Sequence, residues 1–466
     1  MIDGLKPYAE YKESGLPWLD TVPKHWDMAP NRALMRDQRQ VVGSRASDYT
    51  LLSLTLRGVI ARDMVNPKGK FPAQFNTYKV VKPDDFVFCL FDIDETPRGV
   101  GLSPLKGMIT GAYDIFSPTP RINPRFLYHY YLFVDEGKLM KPLYTGLRKT
   151  IQRGVFASLK APLPPPDEQV AIVRFLDHAN RKIDGFIRAK RKLIGLLNEQ
   201  KQAIIHRAVT RGLHPDVPLK PSGIPWLGDI PKHWDVRPIK HWTKINARTL
   251  GEATAASFEF RYIDIGAVRT GRLVAAPEVM RFDRSPSRAR RVLVAGDTII
   301  STVRTYLKAV WFAGENPVNL VASTGFAVFS PLASVEPEYL SYVLQDSGFV
   351  DQVTGNSVGI AYPAIAESVL ARLRIAIPPS RSEQVGIIVA IKDQTGPLNT
   401  AISRTEREIA LMQEYRTRLT ADLVTGKLDV REAAAQLPAP PNDAPAPDEP
   451  LEEIETELEE TNDASN

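Results

Sequence analysis

Carboxylates stand closest together at Asp84-Asp85 and across Asp92, Asp94 and Glu95. Oxygen ligands grouped in this way are what Mg²⁺ takes, and a Mg²⁺ beside a phosphodiester could support its cleavage. The plainer reading is turn and surface-loop carboxylates. The seven His are scattered, and the one cysteine, Cys89, can neither close an internal disulfide nor build a thiolate zinc site. No G-x-G-x-x-G, Walker loop or H-E-x-x-H is present. The Asn-Pro-Pro-aromatic tetrapeptide of amino-methyltransferases is missing too: Asn66-Pro67, Asn123-Pro124 and Asn316-Pro317 lack the rest of it. The sequence thus predicts no catalytic residue, no metal site and no cofactor.

The positive signal is basic. Arg281, Arg284, Arg288, Arg290 and Arg291 fall within eleven residues, and Ser285-Pro286-Ser287 makes that stretch a loop. Arginine suits both phosphate clamping and two-pronged recognition of guanine. Residues 146–154, Gly-Leu-Arg-Lys-Thr-Ile-Gln-Arg-Gly, have the same character and align with 354–360, Thr-Gly-Asn-Ser-Val-Gly-Ile. Glycine-bounded polar loops at matching places, carrying different side chains, fit two readers of different sequences. The expected DNA-contacting residues are therefore Arg148, Lys149, Arg153, Arg284, Arg288, Arg290, Arg291, Arg304, Asn356 and Ser357. The net charge of +5 agrees once it is divided: residues 1–430 carry +15, and residues 431–466 carry −10. A basic body of this kind is suited to nucleic acid.

The elements that must position these loops come in duplicate. Residues 14–27, SGLPWLDTVPKHWD, and 222–235, SGIPWLGDIPKHWD, are identical at ten of fourteen positions. A Pro-Pro…Glu-Gln stretch recurs at 164–173 and 378–388, and 208–213 matches 423–428. Fainter echoes join 115–118 to 328–331 and 124–127 to 337–340, so the chain reads A–B–A′–B′ plus a tail. Trp18, Trp26, Trp226 and Trp234 are expected to dock the start of each A segment onto its core, with His25 and His233 structural rather than catalytic.

Each B segment reads as one long helix. Residues 167–213 contain no proline, and a 3-4 heptad frame places Val173, Leu176, Ile183, Ile187, Ile194, Leu197, Ile204 and Ala208 on one seam. The second copy gives Ile388, Ile391, Leu398, Ile402, Ile409, Met412, Leu419 and Leu423. The seam is broken at the same three places in each copy, by Asn180, Lys190 and Lys201 and by Thr395, Thr405 and Arg416. A shared flaw of this sort predicts a mutual coiled coil whose polar positions set the register. Gly396-Pro397 predicts a kink or short break. The A segments read as mixed α/β, with β-rich runs at 85–91 and 297–303 and helices near 124–135 and 337–346. The tail from 433 is rich in Pro, Ala and Glu, so disorder is expected there, with a short helix at 451–458 the one element it could form. No run of about 18 apolar residues or signal-peptide core occurs, so the chain is expected to be soluble and cytoplasmic, with no membrane partner.

Taken together, the Ser-Gly-x-Pro-Trp-Leu…Pro-Lys-His-Trp pair, the Pro-Pro…Glu-Gln helix openings and the Leu-Val-Thr-Gly-Lys-Leu ending at 423–428 resemble the specificity subunits of type I restriction–modification systems. The resemblance covers about residues 8–430. It implies an α+β protein: two mixed α/β target-recognition domains separated by two long antiparallel helices forming a coiled-coil spacer. The corresponding division is target-recognition domains at 1–160 and 214–376, conserved helices at 161–213 and 377–430, and a disordered acidic tail at 431–466. Ile183, Ile187, Ile194, Leu197, Leu398, Ile402, Ile409 and Met412 would form the spacer core. It further implies a non-catalytic reader of bipartite, asymmetric double-stranded DNA. Two methyltransferase subunits and two motor–nuclease subunits would then act on adenine methylation and restriction. A methyltransferase-only system, or a nuclease with an unrecognised carboxylate site, are the alternatives.

Overall fold

The computed structural model describes residues 5–63, 75–146, 149–314, 318–359 and 362–438. Arg148 and the segment 451–458 lie outside them. The chain divides into two compact units: Met1–Ala189 with Glu408–Asn466, and Lys190–Arg407. These limits cut through both long helices, so each unit holds one end of each helix.

The first unit is built on a four-stranded antiparallel sheet in the order Met35–Gln38, Asp114–Pro118, Phe86–Phe88, Val100–Leu102. The second repeats it with Thr243–Ile245, Phe326–Pro331, Thr298–Ser301 and Val310–Phe312. A helix opening on proline packs on each sheet, Pro124–Glu136 in the first unit and Pro337–Gln345 in the second. Proline suits that first position because its missing N–H has no helical partner to lose. In the first unit Asn123 caps the helix by accepting from the N–H groups of Arg125 and Phe126.

Each A segment is closed by pairing the strand that follows its opening hairpin with its last strand. Asp27–Pro30 runs antiparallel to Lys160–Leu163, and Asp235–Pro238 to Arg374–Ile377. The closing strand then feeds directly into a long helix, Pro166–Arg211 of 46 residues or Arg381–Val424 of 44. The units diverge elsewhere. The second carries another four-stranded sheet, in the order Glu278–Arg281, Glu259–Ile263, Leu320–Ser323, Ala289–Leu293, with one parallel pair. Among the described residues the first has small hairpins and bridges in that region.

Within each unit the two helix ends run antiparallel and join the sheet's core. In the first unit Ile172, Leu176, Leu419 and Leu423 share a cluster with Trp26, Phe88, Phe126 and Phe156. In the second, Ile205, Val209, Ile387 and Ile391 do so with Trp234, Tyr339 and Phe349. Of the expected spacer core, Ile183, Ile187 and Ile402 are buried, while Ile194, Leu197, Leu398, Ile409 and Met412 are half-buried. Ile204 is only half-buried and Ile205 takes the fully buried place, because near the core the helix buries a wider stripe than a heptad seam.

Three expectations are corrected. The helix Arg381–Val424 continues through Pro397 without a break. Proline there removes its own N–H bond and crowds the carbonyl four residues earlier, and the buried Ile391, Thr395 and Ile402 on either side hold the turns together. The buried Thr395 and Thr405 do not set register through a partner helix. Their hydroxyls return to the carbonyls of Ile391 (2.7 Å) and Ala401 (2.8 Å) on their own helix. Of the polar seam positions Arg416 does cross, pairing with Asp184. Finally, residues 431–438 are ordered: Arg431–Ala435 is a short helix, Ala434 is buried, and Arg174 donates to the Leu437 carbonyl at 2.6 Å. No described helix is long and apolar enough to cross a membrane.

Candidate nucleic-acid interface

The repeated Lys-His-Trp-Asp and Glu-Gln motifs meet in space, once in each unit. Trp26 Nε1 donates to Glu168 at 2.9 Å and His25 Nε2 lies 2.8 Å from the same carboxylate. In the second unit Trp234 Nε1 donates to Glu383 at 2.9 Å, with His233 Nε2 also at 2.9 Å. Both indoles are fully buried, so the carboxylate satisfies an N–H that would otherwise be orphaned. The neighbouring glutamines make a second tie. Gln169 Oε1 accepts from Asn123 N–H (2.6 Å) while its Nε2 donates to the Pro164 carbonyl (2.8 Å). Gln384 does the same with Glu336 N–H (2.7 Å) and the Pro378 carbonyl (2.8 Å). The paired motifs therefore form a joint fastening each long helix to its sheet domain. The sequence showed both halves of this joint but not that one grips the other.

Two glycines complete it. Gly212 and Gly426 both adopt left-handed backbone, at φ +69° and +73°, where an L side chain is disfavoured. They lie beside Trp234 and Trp26, respectively, so the structural match is one residue off the Ala-Val-Thr alignment of the sequence.

The loops on the far side of this joint share a backbone design. In the first unit Thr145 and Thr150 form a reciprocal bridge (3.0 and 3.3 Å), and Ile151 N–H donates to the Leu90 carbonyl (2.8 Å) just past the strand Phe86–Phe88. In the second, Val358 and Ala364 form the bridge (2.8 and 3.0 Å), and Ile365 N–H donates to the Thr302 carbonyl (2.9 Å) just past Thr298–Ser301. The true counterpart of the 145–150 turn is thus 358–364, a few residues later than the sequence alignment of 354–360. Next to each bridge a non-glycine residue takes left-handed backbone: Asp92 at φ 44° and Arg304 at φ 50°. One scaffold position therefore carries opposite charge in the two units.

The expected contact residues divide by what holds them. Lys149 lies 2.5 Å from Glu95 and 3.5 Å from Asp94. Arg153 pairs with Asp114, which Lys79 also approaches. Arg288 donates to Asp264 at 2.6 Å and to the Tyr262 hydroxyl at 3.1 Å. Ser357 spends its hydroxyl inward, donating to the Val353 carbonyl and accepting from Thr305, both at 2.8 Å. Asn356 donates to the Gln352 carbonyl at 2.8 Å, closing the helix Ser347–Gly355. Arg290 rests over the Phe282 ring at 4.7 Å, Arg291 is half-buried on the strand Ala289–Leu293, and Arg284 is exposed in the turn before it. Arg304 lies over the ring of Tyr362 at 5.0 Å. The loops meet through the 324–325 turn, where the Arg288 carbonyl accepts from Thr324 and the Gly325 carbonyl from Thr302.

The acidic groups are structural. Asp85 is buried, accepts from Lys82 N–H at 2.8 Å and from the Ser117 hydroxyl at 2.5 Å, and burial raises its carboxyl above the ordinary range. Asp297 anchors the matching turn through Val294 N–H (2.9 Å) and Ser330 (2.6 Å). Asp94 accepts from Tyr144 at 2.9 Å, a bond that lowers its pKa, and it lies within 3.5 Å of two lysines. Among the described residues no three His, Cys, Asp or Glu side chains are grouped as metal ligands.

No protein-family model matches the chain. Two curated proteins of Methanocaldococcus jannaschii are similar to it. The type I restriction enzyme MjaVIII specificity subunit is 22% identical over 292 residues, covering 60% of this chain and 65% of that protein. The putative type I restriction enzyme MjaX specificity subunit is 23% identical over 289 residues, covering 61% and 63%. Each match spans a little under two thirds of the relative's length. A chain solved in work on complex assembly and conformational transition of the type I R-M system has a TM-score of 0.55 at 15% identity, covering 87% of this chain and 99% of that one. At that identity the likeness is one of fold. The curated relatives carry the family name to which the paired motifs point.

Proposed function

We propose that the chain is the DNA-specificity subunit of a type I restriction–modification complex, each unit reading one half of a bipartite, asymmetric duplex target. Adenine methylation and restriction belong to partner subunits, two methyltransferases and two motor–nucleases, which the chain directs in the cytoplasm. The observation that carries this reading is the conserved joint under unlike loops. Both units repeat the Trp–Glu latch and the sheet order, while the residue beside the loop bridge changes from Asp92 to Arg304. Duplication of the joint and the central sheet, with divergence in the loops and in the strands beyond that sheet, is what two readers of different sequences require. Phosphate contacts by the basic surface would supply most of the affinity, and a few loop side chains the sequence.

The test is an exchange of residues 28–160 for those of another such subunit, expressed with its methyltransferase partner in a host whose methylated motif is then sequenced. One half of the motif should change and the other stay. A motif changed in both halves, or in neither, overturns the assignment of one reader per unit.

A further inference from the structure

The loop surface of the second unit exposes side chains of kinds more often found inside. Val358 is 82% exposed, Tyr362 60% and Tyr306 43%. Exposed apolar and aromatic side chains gathered at loop tips mark a surface that is covered in use. Between them lies Arg304, its guanidinium 5.0 Å from the centre of the Tyr362 ring. Stacking holds the planar fork in place and limits the rotamer freedom that binding would otherwise have to remove.

The supports around this group are built, not incidental. Thr305 donates to Ser357 at 2.8 Å, Thr354 to the Thr305 carbonyl at 3.4 Å, and Lys308 pairs with Asp351 at 2.9 Å. These ties fix the short helical turn Thr305–Leu307 against the end of the helix Ser347–Gly355. Left-handed backbone is disfavoured at any residue that carries a Cβ. Arg304 is kept there at φ 50°, just past the strand Thr298–Ser301.

Resting on the specificity-subunit reading, we propose that Arg304, stacked on Tyr362, is the residue that reads a guanine in the half-site of the second unit. A fixed guanidinium fork matches the O6 and N7 acceptors of guanine in the major groove, a pairing that no other base offers. Tyr362 is a positioning residue, acting through the orientation of that fork. The first unit carries Asp92 at the same place, so it cannot read the same base in the same way. That accounts for an asymmetric target from a duplicated scaffold.

The experiment uses the full chain with its methyltransferase partner and a randomised duplex-DNA library, selected for binding and sequenced. Wild-type complex should enrich a two-part motif; enrichment of none would remove the specificity-subunit reading itself. With that motif in hand, Arg304→Ala should lose the preference at one G·C pair in one half by at least tenfold, with the other half intact. Arg304→Lys should fail to restore it, since an ammonium has no fork, and Tyr362→Ala should blur the same position to a lesser degree. The preserved half of the motif reports that the variants are folded. An unchanged motif for Arg304→Ala overturns the proposal. So does a uniform loss of affinity with the salt dependence reduced by about one phosphate contact, which would make Arg304 a backbone contact.

Discussion

The joints of the two units are made from the same four residue types and differ in tightness. Glu168 accepts from Tyr8, His25 and Trp26 and is 3% exposed, whereas among the described residues Glu383 accepts from His233 and Trp234 and is 25% exposed. The extra donor, Tyr8, lies under Arg431 at 5.4 Å, next to the bridge between Lys6 and Asp429. In the second unit the long helix runs on through Gly212 into the strand Leu219–Pro221, so a covalent link does what those contacts do in the first. Where the chain is interrupted, side chains supply the restraint that the backbone supplies elsewhere. The loops show the opposite pattern: the same backbone position holds Asp92 in the first unit and Arg304 in the second, while the order of the central sheet is unchanged.

Removing the carboxylates gives the widest separation. Glu168→Ala strands two buried donors, Tyr8 and Trp26, and releases the exposed His25, and should cost about 3 kcal/mol, and Glu383→Ala, open to water, about 1 kcal/mol. Thermal unfolding of the two variants reads this; equal losses would break the comparison. Next come the glycines. A methyl on Gly426 would sit 2.3 Å from the Pro23 ring, against 3.3 Å from Trp234 for Gly212. Gly426→Ala should therefore cost about 2 kcal/mol and Gly212→Ala about 1 kcal/mol, the latter being mostly backbone strain.

A smaller difference depends on pH. His206 Nδ1 lies 2.9 Å from the buried Asp346, and that hydrogen bond raises the imidazole's pKa. Thr210 and Thr425 bond back to His206 and Ala421, so the first unit has alanine at the matching place. A raised folded-state value means the contribution is fully present below the ordinary imidazole range and fades as pH climbs through the raised one. His206→Ala should lower the melting temperature at pH 5.5 and leave it unchanged at pH 8.5; a gap independent of pH would remove the charge from the account. The smallest effect concerns the acidic end of the chain. Deleting residues 439–466 removes ten acidic and no basic residues while sparing Ala434 and Leu437. Non-specific DNA affinity at low salt should rise about threefold, and the rise should vanish at high salt.

Much of the architecture could be read from the sequence, because helix periodicity and repeated motifs are local signals. The domain helices were expected at 124–135 and 337–346 and occur at Pro124–Glu136 and Pro337–Gln345. The grip of Glu168 on Trp26 was not legible, since it joins residues 142 apart and nothing local marks a carboxylate as an indole's acceptor. The arginines illustrate the same limit. Arg288 and Arg153 look alike as sequence, and only the fold brings them to Asp264 and Asp114. Tyr362 escaped notice because its meaning comes from Arg304, 58 positions earlier, and from its exposure. Pro397 misled in the other direction: local propensity forbids it in a helix, and tertiary packing overrode that rule.

The division of the chain into units has a consequence in time. The second unit is a single uninterrupted stretch, Lys190–Arg407, so every contact it needs is available once that stretch has been synthesised. The first unit draws on both ends of the chain, and Trp26 waits for Gly426 and Tyr8 for Arg431. During synthesis Phe86, Phe126 and Trp26 must therefore lack part of their cover until Leu419, Leu423 and Val430 have been added. The middle of this protein matures before its beginning, and a ribosome stalled near residue 407 would release a finished second half attached to an incomplete first.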